Sequence, residues 1–459
     1  MKKLLLCLTC LMTSYIAYPQ IMFEKTYGGD STEYGFSVVQ TNDGGYMIIG
    51  TTLSYGAGNE DIYAIKTNEY GDTLWTKTYG GATHDHGRCI LKTDDANYLI
   101  SGKIAGIGAY FLKINDNGDT LWTRTYTNSV DARFTSKTNN SGYITTGQIF
   151  HANPQGLHFI FLMKTNLNGN ELWYKEYGLY YDLEANYVAQ TNDGGYIIAG
   201  EKWVTQTWPN QRDIFIIKTD SVGDTIWTKT YGTINHEYCR SLSMTSDGGY
   251  LVTGSTHSSG KGSDHIYLLK LNSSGDSLWK KTYNGEDSFC IIATSDGGYA
   301  ITGWNGDVYL LKLDSVGDSL WAKSFGGISF LDVGSSLAQT NDGGYIIVGY
   351  TKSFGAGDAD VYLIKTDESG IVGIDNGEQI QPQKFTIYPN PTTGKSTIWT
   401  PQQFGQIKSF RIYDCIGQKQ IEKTDKFSDI DIGSLTSGLY FIVLTNFNNE
   451  RLTSKIIKE

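Results

Sequence analysis

Seven times along this chain a tight turn runs into a tyrosine, in its clearest form as "NDGGY". The tyrosines are Tyr46, Tyr98, Tyr143, Tyr196, Tyr250, Tyr299 and Tyr345, with degraded turns "DDANY" and "NNSGY" in the second and third copies. Each is followed by a lysine that closes an apolar run, at Lys66, Lys113, Lys164, Lys218, Lys270, Lys312 and Lys365. Successive copies of this lysine lie 42–54 residues apart. A tryptophan comes next, but only six times: Trp75, Trp122, Trp173, Trp227, Trp279 and Trp321. A repeat this short cannot bury a core alone, so its copies must stack on one another.

Each unit reads as four strands. In the first they are "FSVVQT", "YMIIGTT", "DIYAIKT" and "TLWTKTY". The apolar runs are short and bounded by Gly and Asp, which favours strand over helix. "NDGG" is a tight hairpin turn, and "NEYGD" is a longer one with Gly at the left-handed position. Four strands per unit is the signature of β-propeller blades. The seventh unit stops after its third strand, at "VYLIKTDESG". Near the start, "MFEKTYGG" is a fourth strand with no unit before it. Placing it beside the last unit completes a seventh blade and leaves no bare edge. The expected fold is therefore all-β: a seven-bladed propeller over 21–373, closed by an N-terminal strand. An open β-solenoid is the alternative, but it needs no complementary ends.

Composition agrees. Aromatics make up 13% of the 459 residues, and Gly (54) far outnumbers Pro (7), which suits pleated surfaces joined by Gly turns. Residues 1–20 carry two lysines and then an apolar run too short to span a bilayer, and are expected to be a secretory signal peptide. No later stretch is long and apolar enough for a transmembrane helix. The formal charge is −11. Residues 384–459 carry ten Lys/Arg against seven Asp/Glu, so the remaining body is strongly acidic and unsuited to nucleic acid. Cys89, Cys239, Cys290 and Cys415 match no zinc spacing.

The repeat, with its "DGGY" turn, closing lysine and "hhW-K-h-hGG" end (h apolar), resembles the Gly-Gly-Tyr propeller-like repeats of secreted bacterial proteins over about residues 22–373. The tail is more specific. "FTIYPNPTTGKSTI", "SFRIYDCIGQKQI", "IDIGSLTSGLYFIVL" and "RLTSKIIK" together resemble the type A C-terminal sorting domain of the type IX secretion system. The resemblance covers 384–459, after a polar linker at 374–383. It implies a small immunoglobulin-like β-sandwich that engages the secretion machinery. The protein is then released from, or attached to, the outer surface of a Gram-negative bacterium.

The first strand of each blade is expected to line a central channel. Eleven residues before each marker tyrosine stand Gly35, Gly87, Ala132, Ala185, Cys239, Ser288 and Gly334, all small. Crowding at the axis is the expected reason. Each blade also offers a carboxylate at the expected channel mouth: Glu33, Asp85, Asp131, Glu184, Glu237, Glu286 and Asp332. They are expected to accept hydrogen bonds from neighbouring backbone amides, or to pair with a lysine, and so to lock adjacent blades. The other readings are a hard-cation site, with Ca²⁺ the natural ion, and an acid/base pair. The loops between second and third strands vary and offer Trp203, Trp208 and Arg212 in blade four, His151 in blade three and Trp304 in blade six. Exposed aromatics of this kind stack on sugars or clasp peptides. The regular repeats favour a secreted, non-catalytic module that binds glycan or protein. The alternative is an extracellular polysaccharide hydrolase or lyase using the mouth carboxylates.

Overall fold

The computed structural model describes residues 21–127, 130–139, 142–152, 156–178, 181–204, 211–258, 264–327, 331–372, 386–400, 406–414, 419–424, 429–447 and 451–459. The expected signal peptide, the linker, Trp208 and Cys415 lie outside them. Every regular element among the described residues is a β-strand. The chain divides into two compact units, Met1–Ile374 and Asp375–Glu459.

Seven four-stranded antiparallel sheets make up the first unit. The first sheet is Glu33–Gln40, Tyr46–Thr52, Asp61–Thr67 and Thr73–Tyr79, in chain order. Five more follow the same plan over 85–127, 130–177, 183–231, 241–283 and 287–325. The seventh pairs three strands of 333–366 with Phe23–Tyr27, which lies against Asp360–Thr366. The opening strand is thus the fourth strand of the last sheet, as expected from the missing tryptophan.

The central strands are buried on both faces because each sheet sits between two others. In the first sheet, Tyr46 and Ile48 pack with Ile346 and Val348 of the seventh. Met47 and Ile49 point the other way, onto Ile90 and Ile100 of the second. This explains why the runs read as continuously apolar rather than alternating. Six similar clusters join successive sheets, and the cluster around Tyr27 and Val361 joins the last to the first.

A three-part latch repeats at the outer edge. The third-to-fourth turn of a sheet carries a Gly at positive φ, such as Gly118 at 74°. The Trp75 ring of the preceding sheet covers it so closely that a Cβ on Gly118 would lie 2.8 Å away. Tyr79 donates its hydroxyl to the Gly118 carbonyl at 2.6 Å, and Lys77 meets Asp119 at 3.0 Å. The tryptophans therefore bridge sheets rather than strands within one sheet. At the junction of last and first sheets, Phe23 covers Gly71, Tyr27 donates to the Gly71 carbonyl at 2.6 Å, and Lys25 meets Asp72 at 3.1 Å. "FEKTY" reproduces the latch with Phe in place of Trp.

The marker lysines are buried and anchor the hairpin turn. Lys270 donates to Thr245 Oγ1 at 2.5 Å and to Asp247 at 2.8 Å. Its hydrogen bond holds the Asp247 carboxyl down to about 2, with Thr245 adding to the effect. Asp43, Asp95, Asp193, Asp296 and Asp342 serve the same role in their sheets. The degraded turn of the third sheet has no aspartate. There Lys164 donates to Thr138 at 2.6 Å, and burial lowers its ammonium to about 8.

The second unit packs two sheets face to face. One contains Thr386–Tyr388, Lys395–Trp399 and Asp429–Asp431, the other Ile407–Asp414, Lys419–Lys423, Gly438–Asn446 and Arg451–Lys458. Phe410, Ile412, Ile442, Leu444 and Ile456 meet Ile398 and Ile430 in its core.

Two outcomes follow from this packing. A chain beginning at Asp30 loses the buried faces of Phe23 and Tyr27 and bares the Asp360–Thr366 edge. It is expected to lose at least about 3 kcal/mol of stability. An unchanged melting temperature would show that the sheets do not depend on this strand. Asp247→Ala leaves the Lys270 ammonium buried without a counter-charge and is expected to cost about 2–4 kcal/mol. Lys270→Met leaves Asp247 in contact with water and is expected to cost about 1 kcal/mol or less. Lys164→Met, with no carboxylate to abandon, is expected to be neutral or stabilising. Urea unfolding checks all three, and equal losses would overturn the asymmetry.

Candidate functional site

In six of the seven sheets the first strand starts two or three residues earlier than the apolar run suggests and contains an irregularity; in the fifth it is the short Ser241–Met244, preceded by a lone bridge from Glu237 to Thr256. Pairing with the second strand slips by one residue between Gly35 and Ser37, Gly87 and Cys89, Ala132 and Phe134, Ala185 and Tyr187, Ser288 and Cys290, and Gly334 and Ser336. The skipped residues are Phe36, Arg88, Arg133, Asn186, Phe289 and Ser335. Arg240 follows Cys239 at the matching place in the fifth sheet. A bulge re-aims its extra side chain. All seven line one cavity of about 430 Å³, together with Val333 and Tyr350. Below it, strands from all seven sheets line a second cavity of about 390 Å³.

The small residues before each bulge do not face the axis, contrary to expectation. A Cβ on Gly35 would lie 2.6 Å from Val348 of the seventh sheet, and one on Gly87 would lie 2.7 Å from Ile49 of the first. Ala132, Ala185 and Cys239 belong to inter-sheet clusters. Sideways contact with the preceding sheet keeps these positions small. Cys89 and Cys290 do line the lower cavity, but burial pushes both thiols up to about 11, so neither is a thiolate nucleophile at neutral pH.

The expected mouth carboxylates take three different places. Glu33, Asp85, Glu237 and Asp332 are fully buried and occupied by loop donors. Glu33 accepts from Gly29 N at 2.9 Å, Ser54 N at 3.1 Å and Thr52 Oγ1 at 2.7 Å. Asp332 accepts from Gly327 N, Lys352 N and Ser353 N at 3.0, 3.0 and 3.3 Å. Asp85 takes Gly81 N at 2.6 Å, and Glu237 takes Thr233 N at 2.9 Å. Each ties the incoming chain to its own sheet, as the first of the three readings expects. Glu184 is half-buried and pairs with Arg133 at 3.0 Å. Asp131 is buried, with Oδ1 lacking a partner, and Glu286 is exposed. Among the described residues no three His, Cys, Asp or Glu side chains converge as metal ligands, so the seven do not form a common cation site.

Three of these carboxylates also face a third-strand aspartate across a glycine. A Cβ on Gly28 would lie 1.8 Å from Asp360 Oδ1 and 2.5 Å from Glu33 Oε2. Gly80 lies between Asp61 and Asp85 in the same way, and Gly326 between Asp307 and Asp332. The "YGG" ending of the fourth strand thus leaves room for two acids. Burial, reinforced by Glu33, pushes the Asp360 carboxyl up to about 6.

The expected loop residues are only partly brought together. The Arg212 guanidinium stacks 4.0 Å over Trp203 and pairs with Glu201 at 3.0 Å. His151 sits apart on the third sheet, 2.8 Å from Glu176, and Trp304 ends the second strand of the sixth sheet. The bulge ring was not anticipated. Its signal was present at the tenth residue before each marker tyrosine, where an acidic chain places three arginines and two phenylalanines.

With this geometry in view, the chain can be set beside known proteins. Residues 386–459 match the secretion system C-terminal sorting domain. A domain of this kind marks a chain for export by the type IX system. No curated protein sequence matches the chain. Puromycin hydrolase is similar in structure, with a TM-score of 0.51 at 10% identity over 91% of this chain and 59% of that one. The WD40 β-propeller domain of Doa1 gives 0.49 at 12% identity, over 75% of this chain and 96% of that one. PorZ of Porphyromonas gingivalis gives 0.44 at 12% identity over 90% of this chain, which spans 58% of PorZ's length. At these identities the likeness is one of fold alone.

The Asp360 carboxyl yields a pH test. Its folded value of about 6 lies above the unfolded value of about 3.9. Between those values the folded state holds the extra proton, so stability falls as pH rises through this window. Asp360→Asn is expected to flatten the fall in the urea midpoint between about pH 4 and pH 6. An identical slope in the variant would show that another group titrates there.

Proposed function

We propose that this chain is an exported binding protein whose body is a seven-bladed β-propeller closed by its N-terminal strand. A signal peptide at 1–20 directs it into the periplasm. The type A sorting domain then takes it across the outer membrane, to be held at the surface or released. The propeller is a non-catalytic module for glycan or protein, and its binding face is the bulge ring at the channel mouth with the Trp203–Arg212 rim beside it.

One observation carries this reading. The scaffold positions repeat almost without change, as Tyr, buried Lys and outer Trp, while the bulge position varies: Phe, Arg, Arg, Asn, Arg, Phe and Ser. A constant frame presenting different side chains around one cavity is what selective binding needs. The carboxylates on which acid/base catalysis rests, Glu237 and Asp332, are buried and already accept loop hydrogen bonds.

Two experiments test it. Deleting 386–459 is expected to leave the protein in the periplasm, seen by fractionation; undiminished export would detach the tail from sorting. The purified full chain is expected to retain ligands on a mixed array of neutral glycans, acidic glycans and peptides without consuming them. Turnover of a polysaccharide, lost in folded Glu237→Gln or Asp332→Asn, would replace this reading with the hydrolase or lyase.

A further inference from the structure

The charged side chains lining the mouth cavity are all arginines: Arg88, Arg133 and Arg240. This is a concentrated positive site on a chain of net charge −11. Two of the three are already compensated. Arg133 donates to Glu184 at 3.0 Å and to Asn186 at 2.7 Å. Arg240 pairs with Asp287 at 3.1 Å and lies 3.6 Å from Glu201. Arg88 has no ion pair or hydrogen bond among the described residues, and its Nε is buried without a partner. Asp131 is buried and does not line the cavity. Arg88 is thus the one guanidinium of the cavity lining with no direct carboxylate or amide partner among the described residues.

The neighbours of Arg88 give the rest of the chemistry. Its guanidinium sits 5.3 Å over the Phe36 ring, which holds the planar fork in place. Phe289 and Tyr350 supply further flat apolar faces, and Asn186 and Ser335 supply uncharged polar groups. A volume of about 430 Å³ falls in the usual range for small-ligand sites. One free fork suits a planar monoanion bound bidentately, and a dianion would leave charge unmatched. Aromatic faces and uncharged polar groups suit a ring bearing hydroxyls.

We propose that the channel mouth binds a single carboxylate carried on a hydroxylated ring, the chemistry of a uronic-acid sugar. Arg88 takes the carboxylate, and the ring lies against Phe36, Phe289 or Tyr350. This rests on the binding-module reading and names its ligand class and its anchor. The same chemistry comes from a free uronate or from an acidic polysaccharide end.

Calorimetric titration of the full chain tests it, with glucuronate, an oligogalacturonate, glucose and inorganic phosphate as probes. Glucuronate is expected to bind at least about tenfold more tightly than glucose. Its affinity is expected to fall as salt is raised. Tighter binding of the oligogalacturonate marks a polysaccharide source, and equal binding marks the free sugar. Arg88→Gln is expected to lose at least tenfold, and Arg88→Lys, which keeps the charge but not the fork, to fall between. Should Arg88 variants fail to fold, Ser335→Glu places a negative charge in the same cavity, two sheets away, and is expected to abolish uronate binding. Phosphate binding more tightly than glucuronate overturns the ligand class. Glucose binding equal to glucuronate, or full affinity in folded Arg88→Gln and Ser335→Glu, overturns the site. In those cases retention of a neutral glycan or a peptide on the array leaves the broader reading standing, while an array with no ligand at all removes both.

Discussion

A glycine that must stay bare holds this architecture together. At the third-to-fourth turn the backbone takes a positive φ, which Gly adopts without cost. The missing side chain also lets an aromatic ring from the preceding sheet lie flat on the turn. A tyrosine hydroxyl on the same glycine's carbonyl and a Lys–Asp pair beside it fix the angle between the two sheets. Each contact is modest alone, and the exposed ion pair is worth little. The ring on a bare glycine recurs at all seven junctions and the full latch at five of them, setting a similar spacing that the buried clusters fill.

The buried lysines act on the other side of each sheet. A lysine in an apolar strand is costly unless it is paired. Here the cost is met by the turn it stabilises, since the ammonium bonds the threonine and aspartate that shape "TNDGGY". Register and turn are thereby specified together: a slip of one residue would bring the lysine to the wrong face. The third sheet shows the limit of the device. Its turn has no aspartate for the lysine, whose ammonium is correspondingly easier to deprotonate.

Much of this was legible in the chain because repetition makes structural needs visible. The tyrosine, lysine and tryptophan markers gave the strand order and the placement of "MFEKTYGG". What they could not give was direction within a strand. The sequence points the small residue eleven before each tyrosine at the axis, but the bulge at the next residue turns that position sideways. The same bulge aims Phe36, Arg88 and their counterparts into the cavity, and nothing in a period of two announces it. Glu33, Asp85, Glu237 and Asp332 accept backbone amides as the sequence leads one to expect, whereas Asp131, Glu184 and Glu286 do not take this place. Pairs such as Glu33 and Asp360 meet only because distant strands become neighbours.

The opening strand also sets an order of events. Glu24 and its hydrogen-bond partner Tyr362 are 338 residues apart in the chain. Bringing such distant segments together is slow, and loop entropy must be met before any contact repays it. A chain threaded amino-end first therefore offers its earliest strand to a sheet that does not yet exist. Six sheets can assemble on their own strands while the seventh waits for both ends. The last sheet's own strands end at Thr366, shortly before the sorting domain at 386–459, so the sheet that receives the opening strand and the segment that addresses the chain emerge almost together. The opening strand thus waits through nearly the whole length of the body for the edge it completes.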